Sequence, residues 1–138
     1  MYLIGFPLLL IPLAIYNIIA YLFGLGFSDT VFQIPMLSRA TLDVSTGDLL
    51  IIFSIFLLFL EILKATRIGT KSIVDHILSF VVFIAMVGEF MILQRAATST
   101  FLLLVVIAFV DVVGGFSVSI RTAQRDIGLD GIDRLSNN

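Results

Sequence analysis

Four long apolar segments, separated by shorter stretches that are richer in polar residues, dominate the sequence. Each approaches the roughly 20 residues that an α-helix needs to cross about 30 Å of hydrocarbon. The pattern therefore predicts an all-α membrane protein, with four transmembrane helices in a compact bundle and a single domain over residues 1–138. The predicted helices cover residues 3–23, 48–64, 73–93 and 99–120.

The first apolar segment could be mistaken for a signal peptide. Its apolar run is too long for one, no basic residue precedes it, and no A-x-A-like cleavage site follows it. We therefore predict a retained helix that is bent by Pro7 and Pro12, each of which removes one backbone hydrogen bond. Asn17 is the only strongly polar residue in the interior of this predicted helix.

Two of the predicted helices are preceded by the spacing of a capping box, S-x-x-D. In this motif the serine side chain and the acid side chain bond the free N–H groups at a helix start. Ser45 with Asp48 precedes the second apolar segment, and Ser72 with Asp75 precedes the third. The two pairs are predicted helix caps.

The segment between the first two helices, residues 24–47, is too apolar for a free loop and is interrupted by Pro35. We expect it to lie along the outer membrane interface, with a short helix after Pro35. The alternative is that it forms the lid of a cavity.

Composition supports a membrane protein and excludes several other classes. Of the 138 residues, 59% are hydrophobic and 13% are charged, and the mean hydropathy is +1.16, which a soluble domain of this length could not hide in its core. No cysteine is present, which excludes disulfides and thiolate metal sites. The single histidine and the lack of a basic patch give no basis for a cofactor or for nucleic-acid binding.

A run of acids near the C-terminus, Asp126 to Asp133, has a glycine where a calcium loop needs one. An acid occupies the usual hydrophobic position of that loop, and Asn137 stands in place of the bidentate glutamate. We predict no metal site and interpret residues 121–138 as a solvated tail, with a helical start as one option.

The basic residues indicate the orientation of the helices. Six of the eight lie in the connection between helices two and three or after helix four, and only Arg39 and Arg95 lie in the other connections. The positive-inside rule then places both termini in the cytoplasm and the protein, as a multi-pass protein, in the cell inner (plasma) membrane.

Ionisable side chains inside a membrane are costly, at least about 2.5–3.5 kcal/mol each, and are therefore candidates for function. Asp111 is the deepest, about 18 Å from the outer end of its helix, and Glu89 lies about 6 Å below the outer hydrocarbon edge. Glu61 and Lys64 form an i, i+3 pair near the opposite face. The sequence thus predicts an outer polar layer of Asn17 and Glu89, and an inner layer of Glu61, Lys64 and Asp111.

Asp111 has no basic partner on its own helix within two turns. Either it is protonated or another helix supplies its partner, and the depths nominate Lys64, Ser54 or Ser79. Asp111 and Glu89 lie about 9 Å apart along the membrane normal, so they do not form a close pair within one chain.

Small residues indicate where helices can approach each other closely. Asp111, Gly115 and Ser119 recur every four residues on one stripe, with Gly114 beside it, and Ala85 with Gly88 forms a second notch near Glu89. Packing within the chain and packing against another subunit both explain these patterns.

Two functional hypotheses follow, and neither is enzymatic, because no nucleophile or metal set is apparent. In the first, the protein acts through helix association, as an accessory or assembly subunit of a membrane complex or as a homo-oligomer. Its partners are then the lipid bilayer and other membrane subunits or itself. In the second, it is a small proton- or cation-linked channel or transporter that uses Asp111 and Glu89, and the transported ion or solute is open.

Overall fold

The computed structural model describes residues 5–67 and 69–137, without the side chains of Thr70 and Asp126. Its main helices are α1 (Leu10–Asn17), α2 (Thr46–Ala65), α3 (Thr70–Ile92) and α4 (Ser99–Ser136). By length and composition, α2, α4 and the Lys71–Ile92 part of α3 are each able to cross a membrane. A mainly helical protein with several helices long and apolar enough to cross a membrane is therefore confirmed.

The first helix is shorter than predicted. α1 begins at Leu10, continues as a π-helical segment over Ile18–Phe23, and ends at Gly24, whose φ is 61°. The prediction of a helix from residue 3 is wrong for residues 5–9, and residues 3 and 4 lie outside the described part of the chain. Pro7 disfavours helical geometry in the residue before it, and Pro12 lies in the first turn of α1, where its missing N–H costs little.

A β-hairpin occupies part of the connection between α1 and α2, where a short helix after Pro35 was predicted. Strands β1 (Thr30–Pro35) and β2 (Thr41–Ser45) pair antiparallel. Arg39 adopts a left-handed φ of 68° in the turn, and the Met36 N–H donates to the Ala40 carbonyl over 2.8 Å. The helix prediction is wrong because β-branched and aromatic residues on both sides of this turn favour strands.

The two predicted capping boxes have different outcomes. At the start of α2, the Asp48 N–H donates to Ser45 Oγ and the Ser45 N–H donates to Asp48 Oδ2, which is the predicted reciprocal arrangement. α3 instead begins at Thr70, after Gly69 with a φ of 131°, and has no side-chain cap. Ser72 and Asp75 lie inside α3, so the second predicted capping box is wrong.

α4 is the longest element, with 38 residues and a length of about 57 Å. The predicted end at residue 120 marks only the point where the sequence becomes polar. No proline follows in the chain, and the helix continues with mostly exposed side chains through the predicted tail to Ser136.

α4 packs mainly against α2 and α3. The core between them contains Leu50, Leu57, Met86, Phe101 and Leu104, all at least nine-tenths buried. We refer to the end of the bundle that carries β1 and β2 as the hairpin end, and to the end where α2 connects to α3 as the loop end.

Candidate functional site

Five polar side chains from three helices meet inside the bundle, towards the loop end. Glu61 and Lys64 come from α2, Asp75 and Ser79 from α3, and Asp111 from α4; we call them the loop-end cluster. Glu61, Asp75, Ser79 and Asp111 are each no more than 7% exposed. The sequence predicted that Glu61, Lys64 and Asp111 share a layer, and the fold brings them together.

Hydrogen bonds and ion pairs connect these side chains. Lys64 Nζ lies 3.2 Å from Glu61 Oε2 and 3.9 Å from Asp75 Oδ2. Ser79 donates to Glu61 Oε1 over 3.4 Å and lies close to Asp111. Of the three partners nominated for Asp111, Lys64 and Ser79 lie in the cluster with it, whereas Ser54 donates to the Leu50 carbonyl of its own helix.

The irregular backbone before α1 completes the loop-end cluster. Lys64 Nζ donates to the Phe6 carbonyl over 2.7 Å, and the Leu8 N–H donates to Glu61 Oε2 over 3.2 Å. A regular helix from residue 3 would have used these backbone groups internally. The break at Pro7 therefore frees backbone groups that bind the charged side chains.

The loop-end cluster contains more acids than bases. Its three carboxyl groups face one ammonium, and Asp75 Oδ1 is buried without a hydrogen-bond partner in the described part of the chain. Unbalanced buried charge is strongly unfavourable, so the surplus has to be neutralised by a proton or a cation. Among the described residues, no three His, Asp or Glu side chains form a group that could hold a metal ion.

The predicted stripe of small residues on α4 is used within the chain. A side chain at Gly115 would come within 3.1 Å of the His76 ring, and a Cβ added at Gly114 would lie 3.8 Å from Ile62 Cδ1 of α2. Ser119 Oγ lies 2.5 Å from His76 Nε2 and donates to the Ala65 carbonyl over 2.9 Å. The stripe is thus a seam between α2, α3 and α4.

The second predicted notch, formed by Ala85 and Gly88, differs from this stripe in what surrounds it. Ala85 is exposed, and a Cβ added at Gly88 would meet nothing within 4 Å. This surface of α3 is unoccupied by other parts of the described chain.

The predicted outer layer is also brought together, nearer the hairpin end. Asn17 Nδ2 donates to Glu89 Oε2 over 3.3 Å, and Glu89 Oε1 is buried without a partner among the described residues. Leu57, Met86 and Leu104 lie between this pair and the loop-end cluster along α2, α3 and α4, and each is at most 8% exposed. An apolar layer therefore separates the two polar levels.

Sequence reasoning missed a further polar contact at the hairpin end. Tyr16 is fully buried; its hydroxyl donates to the Arg95 carbonyl over 2.8 Å and lies 2.7 Å from Thr98 Oγ1. Its ring stacks on Phe27 with 4.2 Å between centroids. A tyrosine inside an apolar helix was the available signal, because a buried hydroxyl requires a partner.

Comparison with known proteins assigns the chain to no family. No protein-family model matches the chain, and searches of curated proteins and of solved structures gave no match. The function is therefore inferred from the geometry of the polar groups.

Proposed function

We propose that this chain is a non-enzymatic, multi-pass protein of the cell inner membrane that moves or senses protons through the loop-end cluster. In this proposal both termini and the loop end face the cytoplasm, in line with the distribution of basic residues. Glu89 with Asn17 then forms the outer polar level.

One observation carries the proposal, namely the surplus of buried carboxyl groups around Lys64. Three acids that share one ammonium can stay buried when they retain a proton among them, and shared protons can be exchanged. A proton fits better than a divalent cation, because the described residues contain no grouping suited to a metal.

The two polar levels support a proton-linked carrier in preference to an open channel. Leu57, Met86 and Leu104 fill the space between the levels along the three long helices. A proton passing between Asp111 and Glu89 requires these side chains or the short α1 to move. Residues 5–9, before α1, are not helical, so they have few helical hydrogen bonds to lose in such a movement.

Proton flux through the full chain in sealed lipid vesicles tests the proposal. A pH-sensitive dye inside the vesicles reports the response to an imposed pH gradient with a potassium diffusion potential. We expect wild-type protein to equilibrate protons faster than protein-free vesicles, and Asp111→Asn to reduce the rate to the protein-free level.

Asp133→Asn provides the matched control, because it makes the same change in charge at an exposed position of α4. It should retain the wild-type rate. A wild-type rate equal to that of protein-free vesicles, or an Asp111→Asn rate equal to wild type, would contradict proton transfer by this cluster.

A second candidate function is helix association, as an accessory subunit or a homo-oligomer. The stripe that includes Gly115 and Ser119 no longer supports it, since those residues pack within the chain. The Ala85–Gly88 notch supports it, because small residues with open space beside them allow close approach of another helix. Gly88→Leu should then abolish a partner or dimer that wild type retains in mild detergent, with Ile84→Leu, an exposed position on the same helix, as control.

A further inference from the structure

A cavity lies at the hairpin end, away from the loop-end cluster. It has a volume of about 770 Å³, is open on one side, and is lined by the segment before β1 and by the starts of α2 and α4. This size is typical of sites for small molecules. Its lining is polar at the helix starts, at Ser28 and at Arg95, and apolar elsewhere.

The start of α4 supplies hydrogen-bond donors to this cavity. Thr98 caps the helix by accepting the Phe101 N–H over 3.1 Å, and Ser99 and Thr100 line the cavity. The first N–H groups of a helix have no acceptor within it, and the helix dipole favours a negative group there. A carboxylate would accept hydrogen bonds from these N–H groups at the start of α4.

The Thr100 side chain independently indicates a ligand. It is 8% exposed and lines the cavity, yet its hydroxyl makes no hydrogen bond to any described residue. The hydroxyl lies directly against Gly47, where a Cβ would collide with it. A polar group bound in the cavity would give this hydroxyl a hydrogen-bond partner.

Arg95 adds a positive charge to the same cavity. Its Nη1 donates to the Ala20 carbonyl over 2.8 Å, and its guanidinium lies 5.1 Å from the centre of the Tyr21 ring. These contacts hold the guanidinium in place and use one of its five N–H donors. The remaining donors are available to an anionic group.

Asp48, which is exposed at the start of α2, adds a negative charge to the cavity lining. The N–H groups there are already bonded, Thr46 to the Asp29 carbonyl and Gly47 to the Phe27 carbonyl. An anion therefore has free donors at α4 but not at α2. Asp48 accepts from the Ser45 N–H through Oδ2, and its Oδ1 makes no bond to a described residue.

We propose that this cavity binds a small zwitterion of the amino-acid type. Its carboxylate would bind Thr100, the α4 start and Arg95, while its ammonium would bind Asp48. The apolar lining, which includes Phe27 and Leu103, would take a hydrocarbon side chain. This site goes beyond proton transfer and does not depend on it.

Calorimetric titration of the full chain in detergent micelles tests the site with three matched probes. Leucine carries both charges, 4-methylpentanoate lacks the ammonium, and isopentylamine lacks the carboxylate. We expect leucine to bind at least about tenfold more tightly than either counterpart, since each lost charged hydrogen bond costs about that factor. Absence of leucine binding, or equal binding of 4-methylpentanoate, would overturn the proposal.

Variants then assign the two ends of the ligand. Thr100→Val keeps the shape and removes the hydroxyl, and should weaken leucine binding about tenfold, whereas Thr100→Ser should restore it. Asp48→Asn should weaken leucine but leave 4-methylpentanoate unaffected. Unchanged leucine binding in Thr100→Val would remove the carboxylate assignment.

Thr122→Val serves as the control, because that hydroxyl bonds the Val118 carbonyl far from the cavity on α4. It should bind leucine like wild type. Circular dichroism and gel filtration of every variant distinguish lost binding from lost folding, and a folded Thr100→Val protein with wild-type affinity counts against the site.

Discussion

The charged side chains at the two ends of the bundle differ in how much of their bonding capacity is used. At the loop end, Glu61 and Lys64 turn inward and bind each other, their neighbours in the cluster or the backbone of residues 6–8, although Asp75 Oδ1 has no described partner. At the hairpin end, Arg95, Asp48 and Thr100 surround a cavity and leave bonding capacity unused. Filled bonds hold helices together, whereas unfilled bonds next to open space are available to a ligand.

Removing the cation from the loop-end cluster should cause the largest loss in the free energy of unfolding. A small loss would contradict the contrast between the two ends. Lys64→Met leaves three buried carboxyl groups without their ammonium and releases the Phe6 carbonyl. We expect a loss of about 3–5 kcal/mol in the free energy of unfolding. The measurement is a denaturant titration in detergent micelles.

Lys71→Met is the control for this prediction, since Lys71 is exposed in the first turn of α3. It should unfold like wild type. If both lysine variants lost the same stability, the loop-end cluster would contribute no more than an exposed charge.

Gly47→Ala tests how tightly the hairpin end is built around its cavity. The new methyl group would collide with the Thr100 hydroxyl and lie 3.0 Å from the Phe27 carbonyl oxygen. Overpacking of this kind costs about 1–3 kcal/mol, measured by thermal unfolding in detergent. Gly88→Ala is the matched control, because its methyl group would meet nothing within 4 Å; equal destabilisation by the two changes would contradict the close contact.

The smallest expected loss of stability comes from breaking the hydrogen bond between Asn17 and Glu89. Asn17→Leu removes the donor to Glu89 Oε2 and leaves that half-buried carboxyl without a described partner. A loss of about 1 kcal/mol in the free energy of unfolding is expected, which is typical of a hydrogen bond between helices in a membrane. The double variant Asn17→Leu with Glu89→Leu isolates the pair, and it should lose less than the sum of the two single changes.

Hydropathy and depth were enough to predict α2, α3, the first part of α4 and the two polar levels. The reason is that a membrane span needs a nearly fixed length of apolar residues and that an α-helix has a constant rise per residue. They could not predict the hairpin, since Val31, Phe32 and Ile34 are as apolar as membrane residues but prefer strands. Asp75 was assigned to a helix cap because its spacing from Ser72 fits a capping box. Its actual place beside Lys64 follows from the earlier start of α3, directly after Gly69. The spacing of Ser72 and Asp75 in the sequence does not reveal that start.

The contacts of Phe6 and Leu8 with the loop-end cluster determine which changes this segment tolerates. Both are made by backbone atoms, so replacing either side chain leaves the donor and the acceptor in place. Adding or removing one residue between Leu8 and α1 would move both groups by a full residue relative to Glu61 and Lys64. The exposed Phe6 should therefore tolerate substitution, whereas an insertion or deletion should not be tolerated, and Leu8 and Leu9 are additionally held by burial in the core.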